Sequence, residues 1–112
     1  MSKFDEKLAL YSEKIKEIEP NFDAELLKKV TKGLGPSIYR ADAETIACSD
    51  KSEKERVREN FLKKKLQLNL SDEELDKAVE EVCAKFPSRA KKYRAIFYYL
   101  LTKKFNKEDV YA

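Results

Sequence analysis

The sequence predicts an all-α protein: a compact single-domain bundle of about five helices, with a central aromatic C-terminal helix. Three observations lead there. Apolar residues recur every three or four positions along most of the chain, which is the spacing of helices that bury one face. The two glycines and three prolines of the 112 residues fall between the periodic stretches, where helices stop. The one strand-like run, IFYYLL at residues 96–101, has no second run to pair with. Its flanks are rich in helix-forming Lys, Arg and Ala.

Each element follows in chain order. Phe4, Leu8, Tyr11, Ile15 and Ile18 make one apolar stripe, and Pro20 ends that helix. Asn21 or Asp23 caps a second helix whose inner face is Phe22, Leu26, Leu27 and Val30. That helix should close at Gly33, in a left-handed conformation that costs glycine little. Beyond the Gly-rich turn, Asp42 is placed to cap a short helical segment through Ala43, Ile46 and Ala47. Ser52 with Glu55 forms a capping box for a helix through Val57, Phe61, Leu62 and Leu66, and Asp50 is a cap for the same helix two residues earlier. Residues 66–70 read as a connection.

Ser71 with Glu74 is a second capping box, and Asp72, Glu73 and Glu74 set negative charge at the positive end of the next helix. Leu75, Ala78, Val79, Val82 and Phe86 form its inner face, and Pro87 ends it. Ser88 then caps a long final helix through RAKKYRAIFYYLLTKKF, apolar on every side in its middle and so the hub of the core. Burying one such side chain is worth about 1.5–3 kcal/mol. Asn106 stops this helix, and the tail 106–112 docks through Val110 and Tyr111. The expectation is a single domain, 1–112.

Charged residues reach 40% and hydrophobic residues 42%. The charge lies well above the usual level of about 25%, and the apolar share is ordinary, which suits thin amphipathic helices. Twelve Phe and Tyr at periodic positions exclude disorder. Net charge is +3, too small to establish a nucleic-acid partner. It is unevenly spread: −2 over residues 1–50, +4 over 51–70, −4 over 71–86 and +5 over 87–112. Such alternation attracts within the fold, or leaves a basic face beside an acidic one. The start of the chain lacks the apolar core of a signal peptide, and no run is long enough for a membrane. The expected location is therefore cytoplasmic, with Cys48 and Cys83 both reduced; the spacing alone permits a disulfide, and the compartment argues against one.

The motif that raises a functional question is KGLGP at residues 32–36. Two glycines around a hydrophobe resemble a helix-hairpin-helix turn, whose backbone amides contact a DNA phosphate. Lys28, Lys29, Lys32 and Arg40 add charge nearby. The plainer reading is a turn between helices, with Gly33 as the cap and Gly35 allowing the path into Pro36. The match is partial, because Tyr39 stands where that motif carries a small residue, and no GK[ST] follows to make a nucleotide loop. A basic–aromatic stretch is the second candidate. Arg89, Lys91, Lys92 and Arg94 precede the aromatics and Lys103 and Lys104 follow, so Tyr98 or Tyr99 would be available for stacking. Its plainer reading is a core helix with solvated ends.

Catalytic signals are poor. The chain has no His, the commonest general base, and neither Cys has one to activate it. Two cysteines alone fall short of a structural zinc site, and DEELD at residues 72–76 reads as helix capping. Asp42 and Glu44 beside Tyr39 make a small polar cluster whose spacing specifies no chemistry.

Three blocks resemble a small bacterial family of uncharacterised proteins, one of the domain-of-unknown-function families. They are KVTKGLGPSIYRADAETIACSD at 29–50, NFLKKKLQL at 60–68 and KYRAIFYYLLTKKFNKEDVYA at 92–112. The resemblance covers nearly the whole chain and implies a stand-alone compact domain. It implies no activity and carries over no catalytic residue. Members of that family tend to carry a His where this chain has Lys104, so His-based chemistry is in doubt here.

The sequence thus favours a small cytosolic, non-enzymatic binding or adaptor domain without cofactor or metal. It leaves the partner open, either a protein or a nucleic-acid backbone and not a membrane, and does not give the oligomeric state. The alternative is a nucleic-acid backbone binder using Lys32, Gly33, Gly35, Ser37, Tyr39 and Arg40 with Arg89, Lys91, Lys92 and Arg94. Exposed rings at Tyr39, Tyr98 and Tyr99 would favour it; buried rings would make them core.

Overall fold

A computed structural model describes residues 2–111; Met1 and Ala112, the ends of the expected domain, lie outside the described residues. Ser2 opens helix α1 (Lys3–Ile15) by accepting from the Asp5 amide at 3.1 Å. The helix stops three residues short of the expected Ile18. One further turn, with the Glu19 amide on the Ile15 carbonyl at 2.8 Å, leads to Pro20. Asp23 is the cap of α2 (Ala24–Gly33), accepting from the Leu26 amide at 3.1 Å. The left-handed residue is Gly35 (φ 62°), and Gly33 stays helical, contrary to expectation. A Cβ at Gly33 would stand 3.4 Å from the Tyr111 ring, an ordinary contact, so the helical backbone there does not require glycine.

A tight 3-10 turn (Gly35–Tyr39) leads into a single helical turn, α3 (Ala41–Glu44), preceded by Arg40 and not capped by Asp42. Ile46 and Ala47 do not continue it. Thr45 instead pairs antiparallel with Tyr93, and the Ile46 amide donates to the Lys92 carbonyl at 2.8 Å. Extension here lets Ile46 reach the core, where it is buried. Asp50 caps α4 (Lys51–Arg56), accepting from the Ser52 amide at 3.0 Å. Ser52 donates its hydroxyl to Asp50, so of the two caps the sequence offered, the earlier one forms.

After α4 the coil widens into a π-helix, Val57–Lys65. The spacing of its buried residues explains why. Val57 and Leu66 are both fully buried, yet nine residues of α-helix at about 100° each would put them on opposite sides. Hydrogen bonding from i to i+5 widens each turn, so Val57, Phe61, Leu62 and Leu66 share one face; the Leu66 amide donates to the Phe61 carbonyl at 2.9 Å. Gln67 (φ 56°) then turns the chain.

Helix α5 (Asp72–Lys85) is capped by Ser71 as expected, with the Glu74 amide on Ser71 Oγ at 3.2 Å, and the Glu74 carboxylate accepts from the Ser71 hydroxyl at 3.4 Å rather than from its amide. It buries Leu75, Ala78, Val79 and Val82. The last helix, α6 (Arg94–Lys104), begins five residues later than a cap at Ser88 would have started it. Residues 92–93 are committed to the pairing with 45–46, which holds them extended. Every residue from Ala95 to Thr102 is buried. The helix closes at Asn106 (φ 54°), with the Lys107 amide on the Thr102 carbonyl at 3.0 Å.

Helix α6 is the axis of the molecule, and α1, α2, α3 and α5 pack around it. The C-terminal turn (Glu108–Tyr111) docks on α2 through Val110 and Tyr111. The radius of gyration, 13.1 Å, matches the roughly 13 Å of one compact body this long. No described helix is long and apolar enough to cross a membrane. Cys48 and Cys83 form a disulfide, which overturns the expectation of two reduced thiols. The pairing of 45–46 with 92–93 brings Cys48 beside α5, a contact that sequence spacing does not reveal.

Candidate functional site

Tyr98 and Tyr99 are core residues. Tyr98 stacks on Phe61 with ring centroids 3.8 Å apart, and Tyr99 is fully buried with its hydroxyl accepting from the Asp23 amide at 2.7 Å. Burial pushes both phenols up. Neither ring is free to stack on a base, so that part of the sequence-based site does not form. Arg94 also turns inward. Its guanidinium donates to the Ala43 carbonyl at 2.7 Å, to the Tyr98 hydroxyl at 2.9 Å and to Glu53 at 2.5 Å. Burial pulls its pKa down, but Tyr98 and Glu53 outweigh that and hold it up. Arg94 thus fastens α3 and α4 to α6.

The small polar cluster expected around Glu44 does exist, with other partners. Glu44 Oε2 accepts from the Tyr11 hydroxyl at 2.6 Å and from Lys7 Nζ at 2.8 Å. Burial pushes its carboxyl up, but these two donors prevail and hold it below the usual range. Burial, helped by the Glu44 hydrogen bond, raises the Tyr11 phenol well above its ordinary value.

The turn residues stay outside. Lys32, Gly33, Gly35, Tyr39 and Arg40 are exposed, Tyr39 by 47%. Ser37 is half-buried and donates its hydroxyl to the Leu34 carbonyl at 2.9 Å. Arg89, Lys91 and Lys92 lie on the loop between α5 and α6, which the structure makes the wall of two hollows.

The first hollow is a cleft of about 290 Å³ between the end of α1 and the start of α6. Its floor is apolar: Ile18 from the turn after α1, Phe86 and Pro87 from the end of α5, and Tyr93 and Ile96 from α6. The floor is rigid. Phe86 lies against Phe97 at 6.0 Å, and Tyr93 against Tyr11 at 5.1 Å. Pro87 stops α5 and opens a turn closed by the Ala90 amide on the Pro87 carbonyl at 3.0 Å. That turn lifts Arg89 and Lys91 onto the rim, opposite Lys14 and Glu17 of the first helical segment. The second hollow is shallower, lies over residues 44–49 and shares Ala90 and Lys91 with the first.

The profile of a family described as "Protein of unknown function (DUF2853)" matches residues 10–109. The chain belongs to this family. The match takes in α2 to α6 and the second half of α1 from Leu10, so both hollows fall within the family domain. No curated protein matches the chain significantly. At Lys104, where the family resemblance set a His, the ammonium pairs with Glu81 on α5. Among the described residues no group of three or more His, Cys, Asp or Glu is placed to hold a metal.

Of the ten residues the sequence singled out, the cleft uses Arg89 and Lys91. Sequence reading missed Lys14, Glu17, Ile18 and the floor. One signal was available: Phe86-Pro87 directly precedes the basic cluster, and a proline-stopped helix followed by unpatterned cations marks an exposed loop over an apolar end.

Proposed function

We propose that this member of the family is a non-enzymatic binding domain whose ligand lies in the cleft between α1 and α6. The observation that carries the proposal is the pairing of a buried, ring-braced apolar floor with a charged rim in a concave site, the usual makeup of a ligand pocket. The absence of catalysis in this reading is supported by where the perturbed groups point. Tyr11, Glu44, Arg94 and Tyr99 hydrogen-bond to other parts of the chain, an arrangement that braces the fold. A cytoplasmic location, favoured by the sequence, requires that the fold stand with the Cys48–Cys83 bond open, since such bonds are reduced there.

Titration with the neutral apolar dye N-phenyl-1-naphthylamine tests the cleft. Fluorescence should rise on binding, and the rise should vanish in Ala90→Trp, which fills the cleft, and in Ile18→Glu, which charges its floor. No enhancement with the natural chain, or the same enhancement in both variants, refutes the proposal.

The nucleic-acid reading retains the exposed Tyr39 with Lys32 and Arg40, and it is tested separately. Affinity for DNA or RNA should fall steeply with salt, and Lys91→Glu with Lys92→Glu should abolish it. Binding indifferent to both refutes that reading.

A further inference from the structure

We propose that the cleft takes a small amphipathic monoanion, a medium-chain or arylalkyl carboxylate, with its tail on the floor and its carboxylate at Arg89 and Lys91. The inference rests on the cleft being a binding site and adds the chemistry of what it holds. Three features specify that chemistry. The first is size: about 290 Å³ sits at the lower edge of ligand pockets, roughly 300–1,000 Å³. It accommodates one short tail and is too small for a wrapped peptide or an ordered strand. The second is the floor. Phe86, Tyr93 and Ile96 are each at least nine-tenths buried and form the packed base of the cleft, while the half-buried Ile18 beside them offers carbon still in contact with water. A tail laid there displaces water from carbon without uncovering any polar group.

The third feature is rim charge. Lys14, Arg89 and Lys91 face the single carboxylate of Glu17, an excess of two positive charges. Among the described residues none of these three cations is in an ion pair, while Lys16, just beyond Lys14, is paired with Glu13 at 3.5 Å. A neutral ligand would leave the excess unanswered, and a polyanion would press charge against Glu17. One carboxylate answers half of that excess without setting a second charge against Glu17, and the planar fork of Arg89 suits its two oxygens.

Three ten-carbon probes separate the possibilities: decanoate, decan-1-ol and decyltrimethylammonium, each titrated by calorimetry and followed by amide shifts. Decanoate should bind tightest and weaken as salt rises, with the largest shifts at Ile18, Arg89 and Tyr93. Arg89→Ala with Lys91→Ala should weaken decanoate about tenfold, since each exposed ion pair is worth at most about fivefold. The same change should leave decan-1-ol unaffected. Both substitutions are on exposed side chains, and an unchanged thermal melt will show that the variant folds. The inference is overturned if decan-1-ol or the cation binds as tightly as decanoate, if the double variant holds decanoate undiminished, or if the shifts fall elsewhere. Should the neutral dye and decan-1-ol bind while decanoate does not, the carboxylate assignment falls and the cleft remains a binding site. Should nothing bind, both fall.

Discussion

Opening the Cys48–Cys83 bond should lower the thermal unfolding midpoint by about 16 °C without dismantling the fold. The two cysteines are 35 residues apart in sequence. A link across that span removes about 13 cal/mol/K of chain entropy from the unfolded state, or about 4 kcal/mol at 25 °C. Unfolding a chain of this length carries about 235 cal/mol/K, which converts 4 kcal/mol into about 16 °C. In the folded state the segment around Cys48 has other anchors. Ile46 is buried, its amide bonds Lys92, Thr45 pairs with Tyr93, and Asp50 caps α4. Reduction should therefore act mainly on the unfolded chain and leave native packing in place. The assay is a set of circular-dichroism melts of oxidised protein, protein reduced with a phosphine, and the Cys48→Ser/Cys83→Ser variant. The last two should coincide, well below the first, with the same helical signal at 25 °C. Equal midpoints with the bond intact and open would refute the entropic reasoning. A reduced protein already unfolded at 25 °C would show instead that the bond, and not the anchors, holds residues 45–50 in place.

Two further outcomes follow from local geometry. Glu44→Gln should cost about 1–2 kcal/mol near neutral pH, because a charge-assisted acceptor for Lys7 and Tyr11 becomes a neutral one. The Glu44 carboxyl is held below its ordinary value of 4.5, so its contribution is complete above that pH and fades as pH falls through the lower folded value. Denaturant titrations should show the two proteins converging in acid; a gap that widens there contradicts the assignment. The two glycines should answer differently to alanine. Gly35→Ala should cost about 1 kcal/mol through its left-handed backbone, since nothing lies within 4 Å of the added carbon. Gly33→Ala, in a helical backbone with the Tyr111 ring at 3.4 Å, should be neutral or stabilising, gaining up to about 1 kcal/mol of helix propensity. Chemical denaturation of the pair gives the order, and a reversed order would mean that the turn is closed at Gly33 after all.

The same glycines show where sequence reading stops. That both sit at a turn between helices is legible, because glycine is scarce and both lie between two apolar patterns. Which one takes the left-handed conformation is settled by how the chain turns from α2 into the segment Gly35–Tyr39, and the spacing of two nearby glycines does not distinguish them. Arg94 is similar. Its neighbours Arg89, Lys91 and Lys92 make it look like part of a basic surface, but it starts α6 where Glu53, Ala43 and Tyr98 converge. The candidate site was legible only as a basic loop; the apolar floor that turns the loop into a cleft is brought together from the ends of α1, α5 and α6.

What the sequence determined by itself is everything that depends on neighbours within a few residues. Stripes of apolar side chains, the Ser71 cap, the stop at Pro87 and the turn at Asn106 are of this kind. The enclosed α6 is too, since a run apolar on every side has no face to give to water. Tertiary structure decided the late start of α6, the extended pairing of Thr45 with Tyr93, the disulfide, the widened coil at Val57–Lys65 and the cleft. Each of these depends on contacts between residues distant in the chain. Such contacts form once the helices have packed, and a local pattern of residue types holds no record of which partner will arrive.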